Sequence, residues 1–200
     1  MQPISDGSFE RLITVLEGFM PLSVQLKIEL KDALGEVSIP ANKLLLNVGQ
    51  VQHVVWFLLS GLAREFREDP ITLEEKTSWF WTADGFLFDD SAFFAQEPSY
   101  RGIQLLDKSQ VVCLSYTDFK LLQQGFLEVQ LLSEKVRGYY SRLRKRHGEE
   151  SHALNAMQRY LSEQTLLDQL WGRVKLRHVS EFMGMAPDTL GRLRKQLIKR

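Results

Sequence analysis

The chain of 200 residues holds a single cysteine, Cys113, set in the apolar run VVCLS. That excludes an internal disulfide and any multi-cysteine zinc or iron–sulfur site. No stretch approaches the roughly 18 uncharged apolar residues of a membrane span. The opening MQPISDGSFERL lacks a basic segment followed by an apolar one, so no secretory signal is expected. Together these absences point to a cytoplasmic protein without a membrane partner. Internal repeats and low-complexity segments are missing as well. So are the constellations of catalysis: there is no Ser/His/Asp or Cys/His arrangement, no phosphate loop and no metal-ligand spacing. The pair Asp89–Asp90 is too common a pattern to count, and no catalytic or metal-binding residue is assigned. His147 and His152 stand five apart and do not share a helical face well enough for a metal pair. A haem would need an axial ligand such as His53, and a lone histidine more often serves the structure.

Net charge is absent too, with 25 Lys/Arg against 25 Asp/Glu, but the zero hides a division. Residues 137–200 carry 14 basic and 6 acidic residues, a balance of +8, while residues 1–136 carry 11 and 19, a balance of −8. This asymmetry suggests two modules, the basic one suited to a polyanion. A solvated helical surface would account for a basic tail alone, so the motifs must decide.

Residues 9–35 read as helical, with Phe9, Leu12, Ile13, Leu16 and Phe19 at the helix period and Leu26, Leu30 and Leu34 continuing it beyond Pro21. Between about 37 and 119 the texture is of short apolar or alternating runs: VSIPANKLLLNVG, HVVWFLLSGLAREFRE, EKTSWFWTADGF, YRGIQLLD and SQVVCLSY. Turn residues such as Ser60–Gly61 and Asp84–Gly85 separate them, which predicts an antiparallel sandwich or barrel rather than βαβ units. In Trp79-Phe80-Trp81, alternation sets Phe80 opposite the two tryptophans. One face is core, and the other either lines a ligand pocket or meets the long helix.

From Thr117 some thirty residues without proline read as one or two helices. Val129, Leu132, Val136, Tyr139 and Leu143 are spaced 3, 4, 3 and 4, a run that favours a coiled-coil dimer seam over packing against the chain's own barrel. The polar break HGEES at 147–151 is the expected hinge, and residues 152–166 form a further helix. The organisation is therefore a sensor region over 1–118, a long helix and hinge over 119–148, and a small basic unit over 149–200.

The chemistry concentrates in HVSEFMGMAPDTLGRLRK, residues 178–195. A helix over about 175–183 buries Val179, Phe182 and Met183. Gly184 suits the left-handed conformation that ends a helix sharply, Met185 can plug the space between helices, and Pro187 fits the first turn of the next. Leu190, Leu193 and Leu197 form its buried face, and Asp188, Thr189, Arg192, Lys195 and Lys199 its outer one. This is the pattern of a helix-turn-helix. Short polar side chains near the start of the second helix, with an arginine able to pair guanine, suit a major groove about 12 Å wide. Arg173, Lys175, Arg177, Arg194 and Lys195 can neutralise phosphates and set the register.

On these segments the chain resembles the Crp–Fnr superfamily of bacterial transcription regulators over nearly its whole length. VVWFLLSGLAREF, QVVCLSYTDFKLL, MQRYL and, above all, the Gly-x-x-x-x-Thr-Leu-x-Arg run within HVSEFMGMAPDTLGRLRK carry the likeness. The resemblance implies an α+β fold: a jelly-roll-like antiparallel β-roll (a double-stranded β-helix of the cyclic-nucleotide-binding type) with flanking helices, a long dimerisation helix and a C-terminal helix-turn-helix. It implies a homodimer that regulates transcription on double-stranded DNA, with RNA polymerase as a further partner, and it puts base contacts on Asp188 and Arg192. Pro187 stands where the family often has a basic or polar residue, so base preference should differ. No β-hairpin wing is expected after the closing helix. The other reading is an effector-binding or scaffold protein whose helix-turn-helix mediates protein contacts.

The effector region departs from the family. Members that bind cyclic AMP carry Phe-x-Gly-Glu-Leu and then Arg-Ser/Thr-Ala. Laid without gaps over FLFDDSAFFAQEPSYR, residues 86–101, that cassette puts Phe88 at the glycine, Asp89 at the glutamate and Ser99 at the phosphate-pairing arginine. A phosphodiester needs close backbone N–H groups, which a Phe side chain obstructs, and a bidentate partner that Ser99 does not supply. Tyr100 and Arg101 complete the expected pocket, with Arg101 on the face that strand alternation could share with it. Cyclic AMP is thus disfavoured and no cofactor is expected. The pocket either takes an unidentified small-molecule effector, an apolar one included, or is vestigial.

Overall fold

The protein is described here by a computed structural model covering residues 2–198; Lys199, assigned above to the outer face of the closing helix, lies outside the described residues. After a two-residue strand β1 (Gln2–Pro3) come α1 (Asp6–Glu17) and α2 (Val24–Ala33). The Ser5 and Ser23 hydroxyls accept from the amides of Ser8 and Leu26, ordinary N-caps for orphan donors. Leu12, Ile13 and Leu16, then Leu26 and Leu30, are the buried positions, as the sequence periodicity predicts.

Each alternating run becomes one or two strands. They are β2 (Gly35–Ile39), β3 (Leu44–Leu46), β4 (Val54–Ser60), β5 (Ala63–Glu68), β6 (Glu75–Trp81), β7 (Phe86–Leu87), β8 (Gly102–Leu105) and β9 (Ser109–Ser115). They form two antiparallel sheets, ordered β1-β2-β9-β4-β7 and β3-β8-β5-β6. The short α3 (Asp90–Phe94) sits between β7 and β8. Leu58, Ala63, Ile103, Leu105 and Val111 lie wholly buried in the main core. Cys113 is buried too, which pushes its thiol up to about 11 and leaves it protonated at neutral pH.

The outer face of the first sheet is covered by α1, α2, α4 (Tyr116–Gly125) and α5 (Leu127–Ala153). This cover changes the role of the stripe expected to form a dimer seam. Val129, Leu132 and Val136 are buried against their own chain, and Leu143 packs against the same core. The buried row continues to Tyr140 rather than Tyr139, which is 41% exposed. Four residues advance a helix by about 400°, so Tyr140 stays close to the row of Val136 while Tyr139 swings outward. The apolar outer face of the sheet needed this stripe.

The hinge also lies elsewhere. α5 runs without a break through HGEES, with the Ser151 hydroxyl donating back to the His147 carbonyl, and the chain turns at Leu154–Asn155. There Asn155 and Gln158 form a capping box that starts α6 (Ala156–Ser162). The single helix expected over 152–166 is therefore divided among the end of α5, α6 and α7 (Gln164–Leu170). α8 (Leu176–Phe182) and α9 (Pro187–Ile198) follow. A second core joins Tyr160, Leu167, Leu170, Val179, Phe182, Met183, Leu190 and Leu193 to Phe80 of the second sheet and to Leu62, just before β5. Phe80 thus faces the C-terminal helices while Trp81 faces the main core, as alternation predicts, but Trp79 packs against both cores and stands edge-on to Phe182.

Gly61 carries the crossing from one sheet to the other, between β4 and β5. Its φ is +115°, and a Cβ there would stand 2.6 Å from the Cβ of Ser109. Backbone strain and overlap act together. Gly61→Ala is expected to cost about 2–4 kcal/mol, read as a lower denaturation midpoint with an unchanged slope in urea.

Candidate functional site

A cleft of about 680 Å³ opens between the sheets' outer end and α5, walled by Arg67, Phe88, Asp89, Asp90, Tyr100 and Arg101 on one side and by Arg137, Tyr140, Ser141 and Arg144 of α5 on the other. Four of the five residues expected at the effector pocket meet here. Ser99 does not. It is 1% exposed, and its hydroxyl accepts from the amide of Arg101 and donates to the carbonyl of the same residue. Its own amide and carbonyl bond to Gln50 and Gly49. A turn-forming serine has spent its polar atoms on the backbone.

Asp89 and Phe88 are likewise committed. The Asp89 carboxylate caps α3, accepting from the Ala92 amide at 2.9 Å and the Ser91 hydroxyl at 2.9 Å, while its own amide donates to Gln52 at 2.8 Å. The Phe88 ring stands edge-on to Tyr140 of α5, with centroids 5.4 Å apart. The position where the family pattern wants a glycine therefore carries a side chain that packs the β-roll against the long helix. The Tyr140 hydroxyl accepts from the Phe86 amide at 2.8 Å, and burial pushes its pKa up to about 12.

The residue that organises the cleft escaped the sequence reading. Glu65 is wholly buried in the middle of β5. It accepts two hydrogen bonds from Arg144 of α5, at 2.9 and 2.7 Å, one from Arg101 at 2.9 Å, and one from the Ser78 hydroxyl at 2.7 Å. Arg144 also lies over the rings of Trp79 and Trp81, at 5.1 and 5.7 Å. Burial by itself would raise the Glu65 pKa, but Arg144, Arg101 and Ser78 outweigh it and hold the carboxylate below its ordinary range. A signal was present in AREFRE, since Glu65 shares the face of Ala63 and a carboxylate on a core-facing position demands a cation. Arg137 is spoken for as well, paired with Asp90 at 2.6 and 2.9 Å and with Glu134. Three of the cleft's four arginines thus already hold carboxylates of their own chain.

At the other end, α9 follows α8 through a tight turn. Gly184 takes a φ of +58° and its amide donates to Glu181, which is the helix stop the sequence predicts. Leu190 and Leu193 are buried, while Asp188, Arg192 and Lys195 are exposed on one face and Thr189 is half-buried beside them. The basic residues assigned to phosphates divide. Lys175 is exposed at the start of α8. Arg173 pairs with Asp107, Arg177 with Glu181 and, at 3.9 Å, Glu74, and Arg194 lies over the Trp171 ring at 4.3 Å.

These contacts belong to a polar seam that seats α8 on β6. The Thr77 amide donates to Glu181 at 2.9 Å, and the Thr77 hydroxyl stands 3.2 Å from His178. Arg64, 3% exposed, pairs with Glu75 and bonds to Gln104. Burial, then Arg64, hold His178 below the ordinary histidine range despite Glu181. His147 of α5 stacks on Phe182, centroids 4.2 Å apart, and reaches Glu163 and the Phe182 carbonyl.

Glu65→Gln should expose the dependence on the buried carboxylate, because Arg144 would lose its counter-charge and Arg101 would keep only Asp89, at 3.6 Å. The expected cost is about 3–5 kcal/mol. A carboxylate held below its ordinary pKa stabilises the fold above that ordinary value, and the contribution is lost as pH falls through the folded value. The stability gap between the native chain and Glu65→Gln should therefore be widest near neutral pH and narrow on acidification below about pH 4, as followed by urea melts across pH.

No family model and no curated protein sequence matches the chain. Solved structures do match in shape. FixK2 of Bradyrhizobium japonicum aligns with a TM-score of 0.70 at 13% identity, over 83% of this chain and 85% of its own. A putative cyclic nucleotide binding protein of Ruegeria pomeroyi aligns with 0.68 at 16%, over 98% and 89%. The c-di-GMP responsive global regulator CLP of Xanthomonas campestris aligns with 0.64 at 14%, over 88% and 92%. At these identities it is the fold that is shared. The chain has the fold of Crp–Fnr-type regulators and of cyclic-nucleotide-binding domains, as the resemblance in the sequence implied.

Proposed function

We propose that this chain is a homodimeric, sequence-specific DNA-binding regulator of transcription, with α8 and α9 as its helix-turn-helix. The observation that carries this reading is the exposed face of α9. Asp188, Arg192 and Lys195 stand at i, i+4 and i+7 on a helix whose opposite face is anchored by Leu190 and Leu193. Such a helix can enter a major groove while its core contacts stay intact. Arg192 reads a base edge, Asp188 tunes that choice, and Lys175 and Lys195 hold phosphates.

Two copies pair through the face of α5 that its own chain leaves open, where Leu127 and Leu131 are 70% and 47% exposed. Pairing must bring the two α9 helices about 34 Å apart to meet successive grooves. The cleft beside α5 is the input end. It does not take cyclic AMP in this reading, because Ser99 is buried in a turn and Arg101 is held by Glu65 and Asp89. Arg101 and Arg144 instead tie β5 to α5 through a carboxylate the chain supplies itself.

Gel-shift binding across a salt series tests the reading. A DNA binder should lose affinity steeply, with a log K against log salt slope near −0.9 per phosphate contacted. A flat response would instead favour a scaffold whose helix-turn-helix meets protein. Arg192→Ala should cost about 1–3 kcal/mol and relax preference at one base pair, whereas Lys175→Ala should weaken all sequences alike and flatten the slope by about one. A scattering or crystallographic dimer whose α9 helices cannot approach the 34 Å spacing in any state would sink the mechanism.

Asp107 generates a further expectation, since it holds Arg173 to the β-roll. Asp107→Asn should free that guanidinium for phosphate, so binding should tighten for specific and random duplexes alike, with a steeper salt slope.

A further inference from the structure

A second cavity lies apart from the charged cleft, between the outer face of the first sheet and the helices that cover it. Its volume is about 120 Å³, and its walls come from every layer there: Leu16 of α1, Leu30 of α2, Phe57 of β4, Phe119 of α4 and Leu132 of α5. Ser133 contributes the only polar side chain among the lining residues, and its hydroxyl is already used, donating to the Val129 carbonyl at 2.6 Å. A water needs two to four polar partners to settle in a protein interior, and this wall has none to spare. Left empty, the space forfeits dispersion contacts along the apolar wall.

We propose that this cavity is a binding site for a small uncharged apolar molecule, the size of one aromatic ring. Volume and lining set the class together. An apolar cavity of about 150 Å³ lined by Leu, Ile and Phe stays dry and takes benzene. A charged or strongly hydrogen-bonding ligand would find no partner on this wall and would lose its hydration. Phe94 and Leu114 are only half-buried, so the lining reaches the surface, with the Arg137 guanidinium over the Phe94 ring at 4.7 Å on one side of the opening. Phe88 lines this cavity and the charged cleft alike. Leu132 stands on α5, three turns before the Arg144 that Glu65 holds. An occupant therefore presses on the same long helix from the opposite side of Phe88, and it does so whether or not α9 reads DNA.

Benzene is the probe, added to the full chain carrying labelled leucine methyl groups. The methyl resonances of Leu16, Leu30 and Leu132 should shift in a saturable way, while those of Leu167 and Leu190 in the second core should stay in place. At a benzene concentration ten times its dissociation constant the folded-to-unfolded ratio should rise about tenfold, a Tm increase of roughly 3–6 °C. Leu132→Phe, which fills the space, should abolish both responses. Absent shifts up to benzene saturation, or equal shifts in both cores, would overturn the proposal. The methyl measurement on the unaltered chain decides the matter even where Leu132→Phe fails to fold.

Discussion

One buried carboxylate sets the geometry of this molecule. Glu65, in the middle of β5, holds Arg101 beside the cleft and Arg144 on α5 at once. An ion cluster so placed gains little net stability over an apolar filling of the same shape, because desolvation offsets most of the attraction. What it supplies is register. A setting of α5 that pulled Arg144 away from β5 would leave the Glu65 carboxylate short of a counter-charge, and Trp79 and Trp81 beneath Arg144 add contacts to the observed one. The long helix is thereby tied to the sheet at the place where the chain otherwise has an open cleft.

The same logic explains how an acidic module and a basic one make a neutral chain. Arg137 meets Asp90, Arg144 meets Glu65, Arg173 meets Asp107 and Arg177 approaches Glu74, each pair joining the two halves of the sequence. Charges that look free in composition are therefore spent on internal docking. Apolar contacts follow the same seam, since Leu62 and Phe80 belong to the core of the C-terminal helices and Phe182 stacks on His147 of α5. Lys175, Arg192 and Lys195 stay outward, whereas Arg173 and Arg177 face carboxylates of their own chain.

Much of the architecture was legible in the residues. All strands but β1 fall in or overlap the alternating runs, the first helices lie at the predicted leucines, and Gly184 and Leu190 shape the closing helix pair as expected. Beyond the divided helix of 152–166, three readings needed correction, each for a reason outside the local pattern. The stripe from Val129 to Val136 was consumed by an intrachain sheet face, because an apolar row does not state which surface it meets. HGEES stayed helical, its polar residues solvated along α5, and the turn fell at the capping box of Asn155. Ser99, aligned by count with a ligand-pairing position, was drawn into a turn by its own backbone.

The sequence by itself determined the main strands, the first two helices and the closing helix pair, in their order. It also determined the outward face of α9, because burial periodicity and caps act over a few residues. Which charges find one another was decided only by the tertiary structure. Glu65 lies 36 positions from Arg101 and 79 from Arg144, too far for any local pattern to register. The two cavities are of the same kind. They are spaces between elements, and nothing along the chain records the volume that packing leaves open.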